Sequence, residues 1–342
     1  MMKITELGEF GLIRRFSPPF LHHLPKRIVG IGDDCAIVPW EKQAALLVTT
    51  DMLVENVHFL RAKIPPQDLG YKALAVNLSD IAAMGGVPEY AFLSMAIPSG
   101  IEVQWLDEFF RGLRELAEKE NVRLLGGDTT GAPVHLVINV AVSGIVHPDR
   151  AKFRSTARPS DVICVTGYVG DSGGGLRILL EDRALLDDEM YLVRQHHRPR
   201  PHLAEGAWLA AQEGVHAMMD ISDGIDSDIR RIMESSECGA DIHLERLPTS
   251  GPLQRSSEKY QWNLEELAAA GGEDYCLLAT VKAKQFPRIA GQFERRFGRP
   301  LVDVGAITGR EMGLRYFRQK KHVRLRGRGF DHFRGNPIVP QR

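Results

Sequence analysis

The sequence predicts a mixed α/β (α+β) protein of two domains, on three observations. Runs of β-branched and aliphatic residues alternate with helical stretches from end to end, the pattern of strands and helices that share a core. The chain has 342 residues, enough for two ordinary domains that each bury their own interior. A polar stretch bearing Pro and Arg, His147–Asp161, separates the halves. It places one domain over residues 1–148 and a second over 149–342.

The elements follow in order. The first half offers strands at Ala44–Thr50, Tyr90–Ala96 and His135–Gly144. Between them, a helix over Pro66–Met84 starts just after Pro65, as a proline-led helix does, and another covers Val103–Glu120. The second half has strands at Val162–Thr166, Ala217–Met219, Asp241–Leu244, Cys276–Val281 and Val302–Ile307, with helices near Gly175–Glu181, Ile225–Glu237 and Ala283–Phe297. A Gly-Gly-x-Asp echo, Gly126–Asp128 against Gly271–Asp274, is too short to establish a repeat.

Hydrophobic residues make up 44% and charged residues 25%, the balance of a soluble globular protein rather than a disordered or membrane-bound one. Lys and Arg total 43 against 44 Asp and Glu, for a net charge of −1. Such a chain has no overall field to hold a nucleic-acid backbone. Cys35, Cys164, Cys238 and Cys276 form no C-x-x-C pair and read as reduced core or near-core residues, which fits a cytoplasmic enzyme. Met1–Phe10 carries Glu6 and Glu9 and no apolar run of a signal peptide.

The carboxylates separate this chain from a generic α/β protein. They cluster beside glycine and are expected at turns after apolar strands: Gly30–Asp34, Thr49–Asp51, Gly126–Asp128, Asp220–Gly224 and Gly271–Asp274. Strand ends of open α/β sheets face the ligand crevice. A single Asp-Gly or Gly-Asp is usually a turn former, but five such clusters together are harder to dismiss as turns alone. At about 100° per residue, Asp80 shares a helix face with Ala73, Val76 and Asn77. That face is small and apolar, so a carboxylate there needs a cation or donor to neutralise it; the other reading of Asp80 is a partner for the N-terminus of a neighbouring helix. Mg²⁺ takes hard oxygen ligands from carboxylates and completes its shell with substrate phosphates, which suits polyphosphate chemistry. Asp220–Asp223 could equally serve as a strand end and an N-cap for the helix from Ile225.

Neither a Walker A pattern nor a G-x-G-x-x-G opening a helix is present. Gly170–Gly175 precedes a helix and is read either as an anion cradle of backbone N–H groups or as a flexible turn. Arg154 and the Arg-rich tail from Arg315 to Arg334 are candidate phosphate contacts, set against the commoner role of solvated charge. His58 reads by default as a strand-edge or core histidine, and His22-His23 and His196-His197 as surface pairs. No Ser-His-Asp or Cys-His spacing supports covalent catalysis.

These motifs together resemble the thiamine-monophosphate kinases, within the superfamily of aminoimidazole ribonucleotide synthetase, selenophosphate synthetase and a hydrogenase maturation factor. The resemblance runs over nearly the whole chain: Gly30–Ala36, Thr49–Asp51, Val57–Phe59, Lys72–Met84, Gly126–Thr130, Val165–Gly167 with Gly170-Asp171, Asp220–Gly224, Gly271–Tyr275 and Gly329–Phe333. The Lys72–Met84 block, His58 and the last motif are closer to the kinase than to its relatives. Residues 1–27 and 183–200 carry little diagnostic sequence.

The resemblance implies an aminoimidazole ribonucleotide synthetase-like fold. Its N-terminal ATP- and Mg²⁺-binding domain pairs strands across a homodimer, and its C-terminal domain closes over the site. It implies transfer of the ATP γ-phosphoryl to thiamine monophosphate, with several Mg²⁺ ions and ATP as co-substrate. By matching position, Asp34, Thr50, Asp51, Asp80, Asp128, Asp220 and Asp223 hold Mg²⁺, with Thr49 through its carbonyl, and Asp51 and Asp128 are catalytic. Gly127, Asp128, Arg154 and Ser222 contact ATP; His58, Glu273 and Phe330 contact the thiamine substrate. Phe330 keeps a stacking face where relatives often have Tyr or Trp, but lacks their polar handle.

The alternatives are another ATP-using member of the superfamily and a non-catalytic nucleotide- or metal-binding relative. Selenophosphate synthetase usually carries a reactive Cys or selenocysteine near its start, and none of the first 34 residues is Cys. The hydrogenase factor is expected to end in Cys, whereas this sequence ends Pro340-Gln341-Arg342. A non-catalytic relative is expected to lack metal carboxylates, and every expected acid is present.

Overall fold

The structure, a computed structural model, describes residues 9–21 and 24–325. They form two compact units: the first holds the described residues of 1–81 and 86–148, the second 82–85 and 149–325.

The described part of the first unit begins with two short helices, α1 (Glu9–Phe16) and α2 (Pro18–Leu21), and continues through β1 (Ala36–Glu41), β2 (Ala44–Val54), α3 (Pro66–Ala83), β3 (Val87–Pro98), α4 (Val103–Lys119), β4 (Arg123–Ala132) and β5 (Val137–Val146). Its strands form a five-stranded sheet in the order β1-β2-β5-β3-β4. All neighbours are antiparallel except β3 and β4. Helix α3 has Pro66 at its first position and small and aliphatic residues after it. Leu69 and every residue from Tyr71 to Ser79 are buried, as a helix apolar nearly all round requires. Strand β2 alternates strictly: Leu47, Thr49 and Leu53 are buried, while Val48, Thr50 and Met52 are exposed. One face of the sheet is therefore covered and the other open.

The second unit contains β6 (Asp161–Val165), α5 (Asp171–Leu180), α6 (Asp187–His197), α7 (Leu203–Ala210), β7 (Val215–Asp220), α8 (Ile225–Ser236), β8 (Cys238–His243), α9 (Gly251–Tyr260), α10 (Leu264–Ala270), β9 (Leu277–Lys282), α11 (Phe286–Phe297), β10 (Val302–Gly309), β11 (Leu314–Arg318) and β12 (Lys321–Val323). The seven-stranded sheet runs β12-β11-β8-β10-β6-β9-β7. Strand β6 explains its layering. Ile163 and Val165 pack with Ile229 and Ile232 of α8, while Cys164 between them packs with Leu209 of α7 and Phe293 of α11. Helices thus cover both faces. A smaller apolar cluster, Ile178, Leu192, Leu253 and Leu267, joins α5, α6, α9 and α10. Among the described residues, no helix is long and apolar enough to cross a membrane.

The expected strands and helices all occur, with ends displaced by a few residues. The placement of the acidic clusters differs. Thr49–Asp51 lies inside β2 and Gly126–Asp128 inside β4 rather than at turns, because both segments are held in ladders, β2 against β5 and β4 against β3. Gly271–Asp274 follows helix α10, and Gly30–Asp34 precedes β1. Only Asp220 stands at a strand end.

Candidate active site

In the first unit, helix α3 lies on the covered face of the sheet and is joined to β2 by polar contacts. The backbone N–H of Asp51 donates to Asn77 Oδ1 at 3.0 Å, and Asn77 Nδ2 donates back to Ala73 O at 3.2 Å. The Thr49 hydroxyl donates to Asp80. A carboxylate oxygen of Asp34 and one of Asp80 lie within 4.8 Å of each other. The Asp51 carboxyl is pushed up to about 6, first by burial and then by the charges of Asp34 and Glu9. Asp34, Thr49, Asp51 and Asp80 therefore form one acidic group.

Asp128 does not join that group within the chain. Asp51 pairs with Val140, Val140 with Leu93, and Leu93 with Gly127. Directly paired residues share a face. Asp128 belongs instead to the next row, with Ser94, Asn139 and the exposed Met52. Asp51 and Asp128 stand on opposite faces and three strand spacings apart, roughly 14 Å at about 4.8 Å each. They cannot ligate one ion from the same chain. On the open face, Asn139 Nδ2 donates to Thr50 Oγ1 at 2.9 Å, and Asp128 accepts the Thr129 N–H at 2.9 Å. Gly127 has φ +155°, and a β-carbon there would stand 1.6 Å from the Leu93 carbonyl oxygen. Only glycine lets β4 approach β3 at this point.

His58 lies in the loop after β2. Its Nδ1 accepts the Val54 N–H at 3.0 Å, so a neutral ring carries its proton on Nε2. Buried Glu55 anchors the loop, accepting the Leu136 N–H at 2.9 Å and Arg61 Nε at 2.8 Å.

In the second unit, Asp220 ends β7 and is buried, and Ser222 and Asp223 follow half-buried. Gly224, with φ +97°, is the N-cap of α8, so neither Ser222 nor Asp223 holds the N-cap position. The Ser222 carbonyl accepts the Glu273 N–H at 2.6 Å. Glu273 and Tyr275 hold the left-handed conformation, at φ 55° and 50°, a strain that persists only where surroundings enforce it. Those surroundings include Asp274, which accepts the N–H of Gly170 at 2.7 Å and of Ser172 at 3.3 Å. The amides at the glycine-rich start of α5 do cradle an acidic group, but it is the carboxyl of the chain's own Asp274. Burial pushes the Asp274 carboxyl up to about 8 against the pull of these amides. It pushes Asp171 up to about 6 against hydrogen bonds from Ser250 and Tyr191.

Arg154 opens a short 3₁₀ turn, Arg154–Thr156, half-buried. In the described part of the Arg-rich tail, Arg315 pairs with Asp241 and Arg318 with Glu265. His196 and His197 are buried, not at the surface, because the last turn of α6 packs against α5, where Gly175 leaves room for His196. Phe330, His22 and His23 lie outside the described residues. Asn77, Asn139, Glu55 and His196 are the supporting residues to which the motifs give no role. Only Asn77 leaves a signal, a polar residue on an apolar helix face.

Residues 32–146 match the family AIR synthase related protein, N-terminal domain, and residues 158–315 match AIR synthase related protein, C-terminal domain. The thiamine-monophosphate kinase of Escherichia coli (strain K12) is 38% identical over 334 residues, which is 95% of this chain and 98% of that protein. The solved structure of AaThiL complexed with AMPPCP and TMP has a TM-score of 0.84 at 32% identity, covering 97% of this chain and 99% of that one. A thiamine monophosphate kinase from Aquifex aeolicus has a TM-score of 0.79 at 32% identity, covering 95% and 100%. With both domains matched and near-complete mutual coverage, the chain belongs to the thiamine-monophosphate kinase family.

Proposed function

We propose that this chain transfers the γ-phosphoryl group of ATP to the phosphate of thiamine monophosphate, giving thiamine diphosphate and ADP. The observation that carries the reading is the acidic group Asp34, Asp51 and Asp80 beside Thr49. It stands in a chain 38% identical to a thiamine-monophosphate kinase and similar to AaThiL, which was solved with AMPPCP and TMP.

The donor set fits Mg²⁺: hard carboxylate and hydroxyl oxygens whose mutual repulsion a dication relieves. When bound, Mg²⁺ supplies charge neutralisation between the two phosphate groups. Asp34, Thr49, Thr50, Asp51 and Asp80 are assigned to it from the first unit and Asp220 and Asp223 from the second. Asp128 is assigned to metal and ATP from the open face, beside Gly127. Arg154 and Ser222 are assigned to ATP, and His58, Glu273 and Phe330 to the thiamine moiety. The substrate phosphate is already an anionic nucleophile at neutral pH, so a direct in-line displacement needs neither a general base nor a phosphoenzyme.

A homodimer suits strand β4, a ten-residue edge strand exposed along nearly all of its length. An uncovered edge is a template for another chain, and on the open face Phe92 is exposed on the adjacent β3, with Val48 and Met52 exposed farther across the sheet on β2. A cytoplasmic location fits the four free cysteines, all buried.

The test supplies ATP and Mg²⁺ with thiamine monophosphate, thiamine, or an aminoimidazole precursor in parallel. Turnover of thiamine monophosphate alone is expected. Turnover of the aminoimidazole precursor instead would assign another superfamily reaction, and nucleotide binding without any turnover would make the chain a non-catalytic binder.

A further inference from the structure

Glu273 is held in place by a residue that the motifs do not contain. Its carboxylate oxygen Oε2 lies 3.2 Å from His196 Nδ1, with the Glu273 side chain 26% exposed and that of His196 only 5%. The same nitrogen lies 2.9 Å from the hydroxyl of Ser172, which is also buried. A carboxylate oxygen only accepts, so the Nδ1 facing it carries the proton, and the Ser172 oxygen can share that N–H. The backbone of the same loop is fixed by independent contacts. Asp274 is tied to the amides of Gly170 and Ser172, the Glu273 N–H reaches the Ser222 carbonyl, and Gly272, Glu273 and Tyr275 all have positive φ. With the backbone held, the side-chain direction of Glu273 remains to be set, and His196 is a buried group in contact with its carboxylate.

We infer that His196 is a positioning residue for the thiamine substrate: its Nδ1–H, backed by Ser172, aims the Glu273 carboxylate. This rests on the reading that Glu273 contacts substrate. A carboxylate suits the cationic thiazolium and the amino group of thiamine alike, and an aimed carboxylate binds better than a mobile one because its rotamers are already restricted. His196 touches neither substrate nor ATP in this assignment, so it should govern substrate affinity and leave the chemical step alone.

The experiment compares His196→Asn, His196→Gln and His196→Leu in the full-length protein, with Glu273→Ala as reference. The Asn amide nitrogen overlays Nδ1, whereas the Gln amide overlays Nε2. His196→Leu and His196→Gln are expected to raise KM for thiamine monophosphate about tenfold, the weight of one hydrogen bond to a charged group. Their kcat and KM for ATP should stay within about twofold, and His196→Asn should restore KM. In the double variant His196→Leu/Glu273→Ala, KM should be no worse than in Glu273→Ala alone. If Glu273→Ala raises KM while His196→Leu and His196→Gln do not, or if Asn is no better than Gln, the positioning role is overturned and the assignment of Glu273 survives. If Glu273→Ala leaves KM unchanged, it is the assignment of Glu273 that fails. Should the Leu variant not fold, the contrast between Asn and Gln still decides.

Discussion

The Asp51 amide and the Asn77 side chain are joined at 3.0 Å, so a strand residue assigned to metal binding takes its position from a fully buried helix residue. Asn77 also satisfies its own amide by donating to Ala73 O. Asn77→Leu removes both bonds and leaves a backbone donor unsatisfied. The expected cost is about 1–3 kcal/mol in denaturant unfolding, with a loss of Mg²⁺ affinity measured by calorimetry. Unchanged Mg²⁺ affinity would show that α3 does not set the position of Asp51.

Asp51→Asn separates stability from activity. The carboxyl is pushed up to about 6 by burial and by Asp34 and Glu9, so its ionised form burdens the metal-free fold above that pH. In EDTA at pH 8 the Asn variant should therefore unfold at the same temperature as the parent or higher. Its kcat should fall by orders of magnitude, about 10²-fold or more. In the parent, EDTA should abolish turnover and Mg²⁺ restore it. Full activity of the variant would remove Asp51 from the site.

Asp274 gives the second unit a pH signature. An ordinary Asp loses its proton near about 4, whereas burial holds this one to about 8. Between those values the folded chain keeps a proton that the unfolded chain has released, so stability falls as pH rises through the window. Asp171, at about 6, adds to the lower part. Asp274→Asn should flatten the fall between pH 6 and 8 in a series of urea titrations. An equally steep fall in the variant would assign the dependence elsewhere.

Gly127→Ala should destabilise the first unit by at least about 2 kcal/mol, since the added carbon would meet the Leu93 oxygen at 1.6 Å. Gly126→Ala is the control. Its nearest neighbour is the Phe92 ring edge at 3.9 Å, and its melting temperature should move by no more than a few degrees. Equal shifts in the two variants would count against the steric account.

Legibility follows how local the determining forces are. Helix α3 can be read because Pro66 and an unbroken run of helix-compatible residues settle it before any partner is considered. Strand β4 cannot. Leu124-Leu125-Gly126-Gly127-Asp128 has the composition of a turn, and only parallel pairing with β3 extends it. The same pairing decides the face of Asp128, which no motif encodes. The acids of the candidate site are legible as a set, but their division between two faces is not. His196 escapes such reading because a His-His pair in a polar stretch looks solvated, and its burial depends on how α6 meets α5. Asp274 as the occupant of the α5 amides is likewise a contact between segments about a hundred residues apart, and no local window of sequence spans it.

The buried cysteines have a practical consequence at the bench. All four thiols are in the interior, and burial pushes those of Cys164, Cys238 and Cys276 up, away from the reactive thiolate. Maleimide dyes and spin labels should therefore pass the native protein by. A single cysteine introduced at an exposed position such as Val134 would then take a probe selectively in the otherwise unaltered chain, giving a fluorescent or paramagnetic reporter without first stripping the natural residues from the core.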